Sequence, residues 1–218
     1  MIGFLLALMV ACPALLFEQA DQIRADSGRL REVAYLEREL ARCVGDDRIH
    51  AQVSNRYIEL AQAAEGRSRR DHWMNEAFRH AKLAMARNAR SSVGNEIMAT
   101  AYAAKLEQSG LIGQARLADS VRIYAERAVA YDPANPTAHH ILGRWYYELA
   151  SVSWVTGLFA GMVTQADVAS APATAVRHFR EAQRLQDSIQ NRYWLGKALA
   201  DGAGKVETRG LYRAAIAL

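Results

Sequence analysis

Apolar side chains recur every three or four residues along most of this chain, with charged residues between them. Only four prolines and 14 glycines interrupt 218 residues, so the pattern predicts an all-α protein. Its sharpest stretch is 121–146. Ala125 and Ala128 let one helix approach a neighbour closely, Asp132-Pro133 ends that helix, and Asn135-Pro136-Thr137 starts the next. The second helix then offers His139, Leu142, Gly143 and Tyr146 on one face.

The same grammar returns elsewhere. A helix over 48–64 carries Tyr57, Leu60, Ala61 and Ala64, and one over 70–87 carries Ala77, Ala81 and Ala84. Past a turn at 88–92 the next helix carries Asn95, Met98, Ala99 and Tyr102, and near the C-terminus Ala175, Phe179 and Ala182 lead to Leu195-Gly196. Met98 follows Ala84 by 14 residues, Leu142 follows Ala128 by 14, and Leu195 follows Ala182 by 13. Three such recurrences predict a helical-repeat solenoid over 46–218.

Two segments precede the repeats. Residues 1–17, MIGFLLALMVACPALLF, carry no charged side chain and read as a membrane anchor, a cleaved signal or a helix packed on the domain. Residues 18–45 read as one amphipathic helix. Ile23, Leu30, Val33, Leu36, Leu40 and Cys43 form its apolar face, Glu32, Arg38, Glu39 and Arg42 its solvated face, and a short coiled coil is the alternative. Gly45-Asp46-Asp47 ends it and supplies N-cap candidates.

One repeat is interrupted. Tyr146 to Ala175 is longer by about 20 residues than a linker within one repeat. No charge falls between Glu148 and Asp167, where Trp154, Leu158, Phe159 and Met162 are available for burial. This apolar insertion is expected to pack over the concave side of the solenoid, to line a lipid pocket or to meet a partner.

Charge and candidate chemistry narrow the function. The formal charge of +4 fits an acidic partner without demanding one. Cys12 and Cys43 make neither a disulfide framework nor a zinc spacing. His139 and His140 diverge by about 100 degrees on a helix and cannot share a metal, so His139 is assigned to packing and His140 to the groove. Gly202-Ala203-Gly204-Lys205 lacks the leading glycine and the trailing Ser or Thr of a phosphate loop. Ser151, Ser153 and Ser170 have no base or nucleophile frame. Arg67-Ser68-Arg69-Arg70 reads as a solvated loop without the interleaved aromatics of a nucleic-acid site. The expectation is therefore no catalytic residues, no metal, no cofactor and no nucleic acid.

The spacing resembles the tetratricopeptide repeat. Over 46–199 the order of features resembles the regulators of microtubule dynamics, above all in DPANPTAHHILGRWYYELASVSW at 132–154 and YWLGKAL at 193–199. The resemblance implies microtubule association with spindle and mitochondrial locations, and lipid binding at membrane contacts for an anchored branch of the family. Relative to that family the N-terminal apolar segment is abbreviated, and Leu218 falls inside what is expected to be the second helix of the last repeat.

The repeat register turns Asn55, Ile58, Gln62, Glu96, Thr100, His140, Arg144, Tyr147, Tyr193 and Lys197 toward the groove. The Lys and Asn series that clamps a terminal carboxylate in chaperone-binding repeats is absent, but His140, Arg144 and Lys197 are expected to make one end positive. The predicted partner site is His140, Arg144, Tyr147, Tyr193 and Lys197, beside the insertion. The function expected is a non-enzymatic adaptor binding microtubules or another acidic protein partner, in the cytoplasm on cytoskeleton, spindle or mitochondrial surface, with a membrane contact through the N-terminus. The alternatives are a phospholipid-binding or transfer module and an exported, secretory or periplasmic, repeat scaffold.

Overall fold

The computed structural model describes residues 16–40, 46–152 and 170–202. Among these, all regular structure is helical: α1 (Leu16–Ser27), α2 (Arg29–Leu40), α3 (Asp47–Ala63), α4 (Arg67–Arg87), α5 (Ser92–Glu107), α6 (Leu111–Tyr131), α7 (Pro136–Val152), α8 (Ala171–Leu185) and α9 (Ile189–Gly202). The chain divides between Ile97 and Met98 into two compact units. Both cysteines, the segment up to residue 15 and the insertion residues Trp154, Leu158, Phe159 and Met162 lie outside the described residues. Among the described helices none is long and apolar enough to cross a membrane.

In the first unit, the single helix expected over 18–45 is two. Gly28 separates α1 from α2 with φ +85°, a left-handed conformation in which a side chain would be strained. Val33 and Leu36 are buried as expected, but Leu30 is 59% exposed. Glu32 and Glu39, assigned to the solvated face, are buried instead, and Glu32 has no exposed surface. For Glu32 the cause comes from α3, where Arg56 Nε donates to its Oε1 at 2.5 Å.

Helix α3 starts as the sequence predicts. Asp46 is its N-cap and its Oδ1 accepts from Arg48 N at 2.9 Å. Helix α4 starts earlier than expected, because Gly66, at φ +85°, precedes a first turn formed by Arg67, Ser68, Arg69 and Arg70. That basic run is thus helix rather than loop, and it places guanidiniums at the positive end of the helix dipole with no acidic residue in the first turn. Arg67→Glu and Arg69→Glu are expected to raise stability by about 0.5 kcal/mol each at low ionic strength. Thermal melts in low and high salt check this, since the gain should shrink as salt is added.

In the second unit the predicted seam is seen residue by residue. Helix α6 ends at Tyr131, Asp132 Oδ1 accepts from Ala134 N at 2.9 Å, and Asn135 Oδ1 accepts from Ala138 N at 2.9 Å ahead of Pro136. Val121, Ala125, Ile141, Leu142 and Trp145 form one buried cluster with Ala99, and Trp145 Nε1–H donates to the Ala118 carbonyl at 2.8 Å. Ala175, Phe179, Leu195, Ala198 and Leu199 form a second. Helices α7 and α8 pack as a pair although residues 153–170 separate them in sequence.

The two units share a design finer than the small-residue spacing. On the first helix of each pair stand His50, Ser54 and Tyr57, or His139, Gly143 and Tyr146. On the second stand Ala77, His80, Ala81 and Ala84, or Ala175, His178, Phe179 and Ala182. The contacts repeat with the residues. The two Nδ1 atoms lie 3.2 Å apart in His50–His80 and 3.0 Å apart in His139–His178. A tyrosine ring lies 5.7 Å from His80 in one unit and 5.9 Å from His178 in the other.

Candidate functional site

Helices α7 and α9 bring four of the five predicted partner-site residues around one side chain the prediction omitted, Trp194. The Arg144 guanidinium lies 3.8 Å from the Trp194 ring centroid and the Lys197 ammonium 5.0 Å from it. Lys197 is also 5.2 Å from the Tyr147 ring, which meets Trp194 edge-on at 5.7 Å. Tyr193 packs edge-on against Trp194 at 5.5 Å and is 45% exposed. Phe179 lies nearly parallel to the indole at 6.3 Å. Two cations against one indole are mutually tolerable because the ring quadrupole attracts both.

His140 has a different role from the one expected. Asn191 Nδ2 donates to the Ala182 and Gln186 carbonyls at 3.2 and 2.8 Å, which leaves Asn191 Oδ1 as an acceptor. His140 Nδ1–H therefore donates to it at 2.7 Å. Burial lowers the His140 pKa, so the ring is neutral at pH 7 and ties α7 to the start of α9. It adds no charge to the face.

The expected positive end is a mixed field. Arg144 lies 4.0 Å from Glu107 and 3.7 Å from Glu148, and Tyr147 Oη donates to Asp201. Burial first, then the Asp201 carboxylate, pushes the Tyr147 pKa up to about 12, so the phenol stays a donor. Lys197 has no ion-pair partner among the described residues, and Arg144 Nε is buried without a hydrogen-bond partner there. The face can therefore offer an acidic ligand one uncommitted ammonium and one loosely paired guanidinium on an aromatic platform.

Other predicted groove positions divide. Ile58 is buried in the core of its unit, contrary to expectation, whereas Asn55, Glu96 and Thr100 are half-buried and Gln62 is exposed. His139 is buried as assigned. Among the described residues no group of three or more His, Cys, Asp or Glu could hold a metal ion. Trp194 had a signal in the sequence, since it stands three residues before Lys197 on the same helix. Glu107 had none, because its approach to Arg144 depends on tertiary packing.

The family described as "Regulator of microtubule dynamics protein 1-3" matches residues 16–216. The chain belongs to that family. Regulator of microtubule dynamics protein 3 of Rattus norvegicus is 20% identical over 89% of this chain and 42% of its own length. Regulator of microtubule dynamics protein 1 of Homo sapiens is 24% identical over 56% of this chain and 40% of its own. The chain thus spans under half the length of these curated relatives. Among solved structures, a thermophilic tetratricopeptide-repeat protein of Thermus thermophilus aligns with TM-score 0.63 at 15% identity, covering 93% of this chain and 98% of that one. MamA of Desulfovibrio magneticus aligns with TM-score 0.51 at 14% identity, covering 94% and 93%. At such identities these two show the fold alone. This member of the microtubule-regulator family is therefore a tetratricopeptide-like helical-repeat protein.

Proposed function

We propose that the protein is a non-enzymatic adaptor, that it docks a protein partner on the face formed by α7 and α9, and that microtubules are this partner. The observation that carries the reading is the stacking of Arg144 and Lys197 on Trp194 beside the exposed Tyr193. Trp, Tyr and Arg are the side chains that most often dominate binding energy at protein interfaces, and here they are held in place before any partner arrives. The names of the relatives supply the partner class. Acidic tubulin tails would meet Lys197 directly and would compete with Glu107 and Glu148 for Arg144. On this reading the protein works on the cytoskeleton.

Cosedimentation with polymerised tubulin at rising salt tests the proposal. Wild type should pellet at low salt and progressively less as salt screens the charges. Lys197→Glu should weaken binding by about tenfold, the effect of losing a contact worth about 1.4 kcal/mol. Glu148→Lys, at an exposed position beside Arg144, should strengthen it. Absence of pelleting at low salt removes microtubules as the partner. Pelleting that ignores both substitutions moves the contact off this face.

A further inference from the structure

The protons of the two histidine pairs can be placed from their neighbours. In the first unit an Arg79 Nη2 lies 2.8 Å from His80 Nε2. A guanidinium only donates, and at 2.8 Å it outweighs the Glu37 carboxylate 3.5 Å from the same atom, so His80 Nε2 accepts and the neutral ring keeps its proton on Nδ1. His80 Nδ1–H then donates to His50 Nδ1 at 3.2 Å. In the second unit His139 Nε2 lies 3.1 Å from the Pro133 carbonyl, which only accepts. His139 Nε2 thus holds the proton, and its bare Nδ1 accepts from His178 Nδ1–H at 3.0 Å. Two independent sets of neighbours give one polarity, with the second helix of each pair donating to the first.

We propose that these pairs are proton-operated locks, fastening α3 to α4 and α7 to α8 while the rings are neutral and loosening both pairs in mild acid. A proton added to either accepting Nδ1 would set two N–H groups head to head across the pair. One carboxylate stands near each pair, Glu37 Oε1 at 3.5 Å from His80 Nε2 and Glu181 acting on His139, and each is already engaged by other donors. Around His50–His80 stand Glu37 from α2, Tyr57 from α3, and Arg79 and Arg87 from α4, and Glu37 already accepts from Tyr57 at 2.9 Å and lies 3.6 Å from Arg79. Around His139–His178 stand Tyr146 from α7, with Arg122 and Glu126 of α6 acting on it, and Arg177 and Glu181 from α8, where Glu181 is paired with Arg184.

Burial, seconded by Arg79 and His50, lowers the His80 pKa to about 3. Burial, seconded by Arg177 and His139, lowers that of His178 to about 4. Burial also lowers that of His50. An unfolded histidine titrates near ~6.5. The unfolded or opened chain therefore takes up protons first, so the stabilisation is complete above that value and is lost as pH falls toward the folded values. At about pH 5 each strongly lowered histidine favours the open form by roughly 30-fold relative to neutral pH. Carboxylates contribute little there, because their titration lies lower. The proposal stands apart from the partner reading, since it concerns the closure of each helix pair.

Hydrogen exchange of the full chain, corrected for intrinsic rates, tests it at neutral pH and at about pH 5. Amides of α3 with α4, and of α7 with α8, should open roughly 30-fold more readily in acid. His80→Asn and His178→Asn keep an N–H near the donating position without a titrating ring. Each should stay closed at neutral pH and lose most of the acid response of its own unit. Equal opening of wild type at both pH values, or an undiminished response in the Asn variants, overturns the lock. Should the variants not fold, long-range proton–nitrogen spectra of wild type at about pH 6 decide the matter. Neutral His80 and His178 rings protonated on Nδ1 support the proposal, and charged or Nε2-protonated rings refute it.

Discussion

Gly143→Leu is expected to unfold the second unit, and Gly143→Ala to cost it about 1 kcal/mol net. A Cβ at Gly143 would lie 2.6, 2.7 and 2.9 Å from Cδ1, Cε1 and Cγ of Phe179. The ring cannot move aside, because Phe179 is fully buried among Ala175, Leu195, Ala198 and Leu199. Two effects oppose each other in the alanine variant. Replacing glycine inside a helix gains about 1 kcal/mol of helix propensity, while forcing an extra carbon into a packed core costs about 1–3 kcal/mol. The clash is with a rigid ring, so the cost should win. Gly94 gives the contrasting case. A Cβ there meets Met85 Sδ and Ser91 Cβ at 3.3 Å, and a flexible methionine end can yield, so Gly94→Ala should be close to neutral. The first unit shows why: it has Ser54 in the register of Gly143 and Ala81 in that of Phe179, so it tolerates a side chain where it lacks a ring. Phe179→Leu placed with Gly143→Ala should therefore recover part of the loss, a coupling of about 1 kcal/mol in a double-mutant cycle read by urea unfolding. Strict additivity of the two changes would show that Phe179 is not what the added carbon meets.

The parts of this fold that were legible in the sequence are the local ones. Ala84, Ala128 and Ala182 with Met98, Leu142 and Leu195 are all buried, because helix period and small-residue packing are written within a few turns of chain. The Asp132-Pro133 and Asn135-Pro136 boundaries were equally local. The break at Gly28 was not, since a single glycine inside an amphipathic pattern costs only about 1 kcal/mol and is often tolerated in a helix. At the site, the repeat register set Arg144, Tyr147 and Lys197 on one face. It could not say that they converge on Trp194, or that Glu107 and Asp201 offset their charge. The histidine pairs were hidden for the same reason: His139 was assigned to packing, yet nothing near it names His178 as its partner. Their trace in sequence is the recurrence of a histidine, a small residue four places on and a tyrosine three beyond, at 50, 54 and 57 and again at 139, 143 and 146.

Arg56→Met is expected to destabilise the first unit by about 3–5 kcal/mol, and Glu32→Met made with it to restore stability to within about 1 kcal/mol of wild type. Glu32 has no exposed surface, and apart from Arg56 its nearest cation is Arg24, whose Nε is 3.9 Å from Oε2. Removing Arg56 alone leaves a carboxylate in the core with its main partner gone, which is the costly way to break a buried pair. Removing both leaves no such charge. Glu59 keeps Arg24 at 2.6 Å and Arg29 at 3.2 Å, and Asp21, largely exposed, returns to solvent. The pair is also incompletely satisfied, because Glu32 Oε2 is buried without a hydrogen-bond partner among the described residues. That orphaned oxygen is a desolvation cost the native pair already bears, so two thioether side chains of similar length have little to make up. Urea unfolding at neutral pH separates this account from a surface ion pair. A surface pair would be worth under about 1 kcal/mol and would weaken in added salt, whereas the loss in Arg56→Met should persist in about 0.5 M salt. A double variant as unstable as the single one would mean that Arg56 acts mainly through Glu59 and Asp21, and that Glu32 is stabilised by the packing around it.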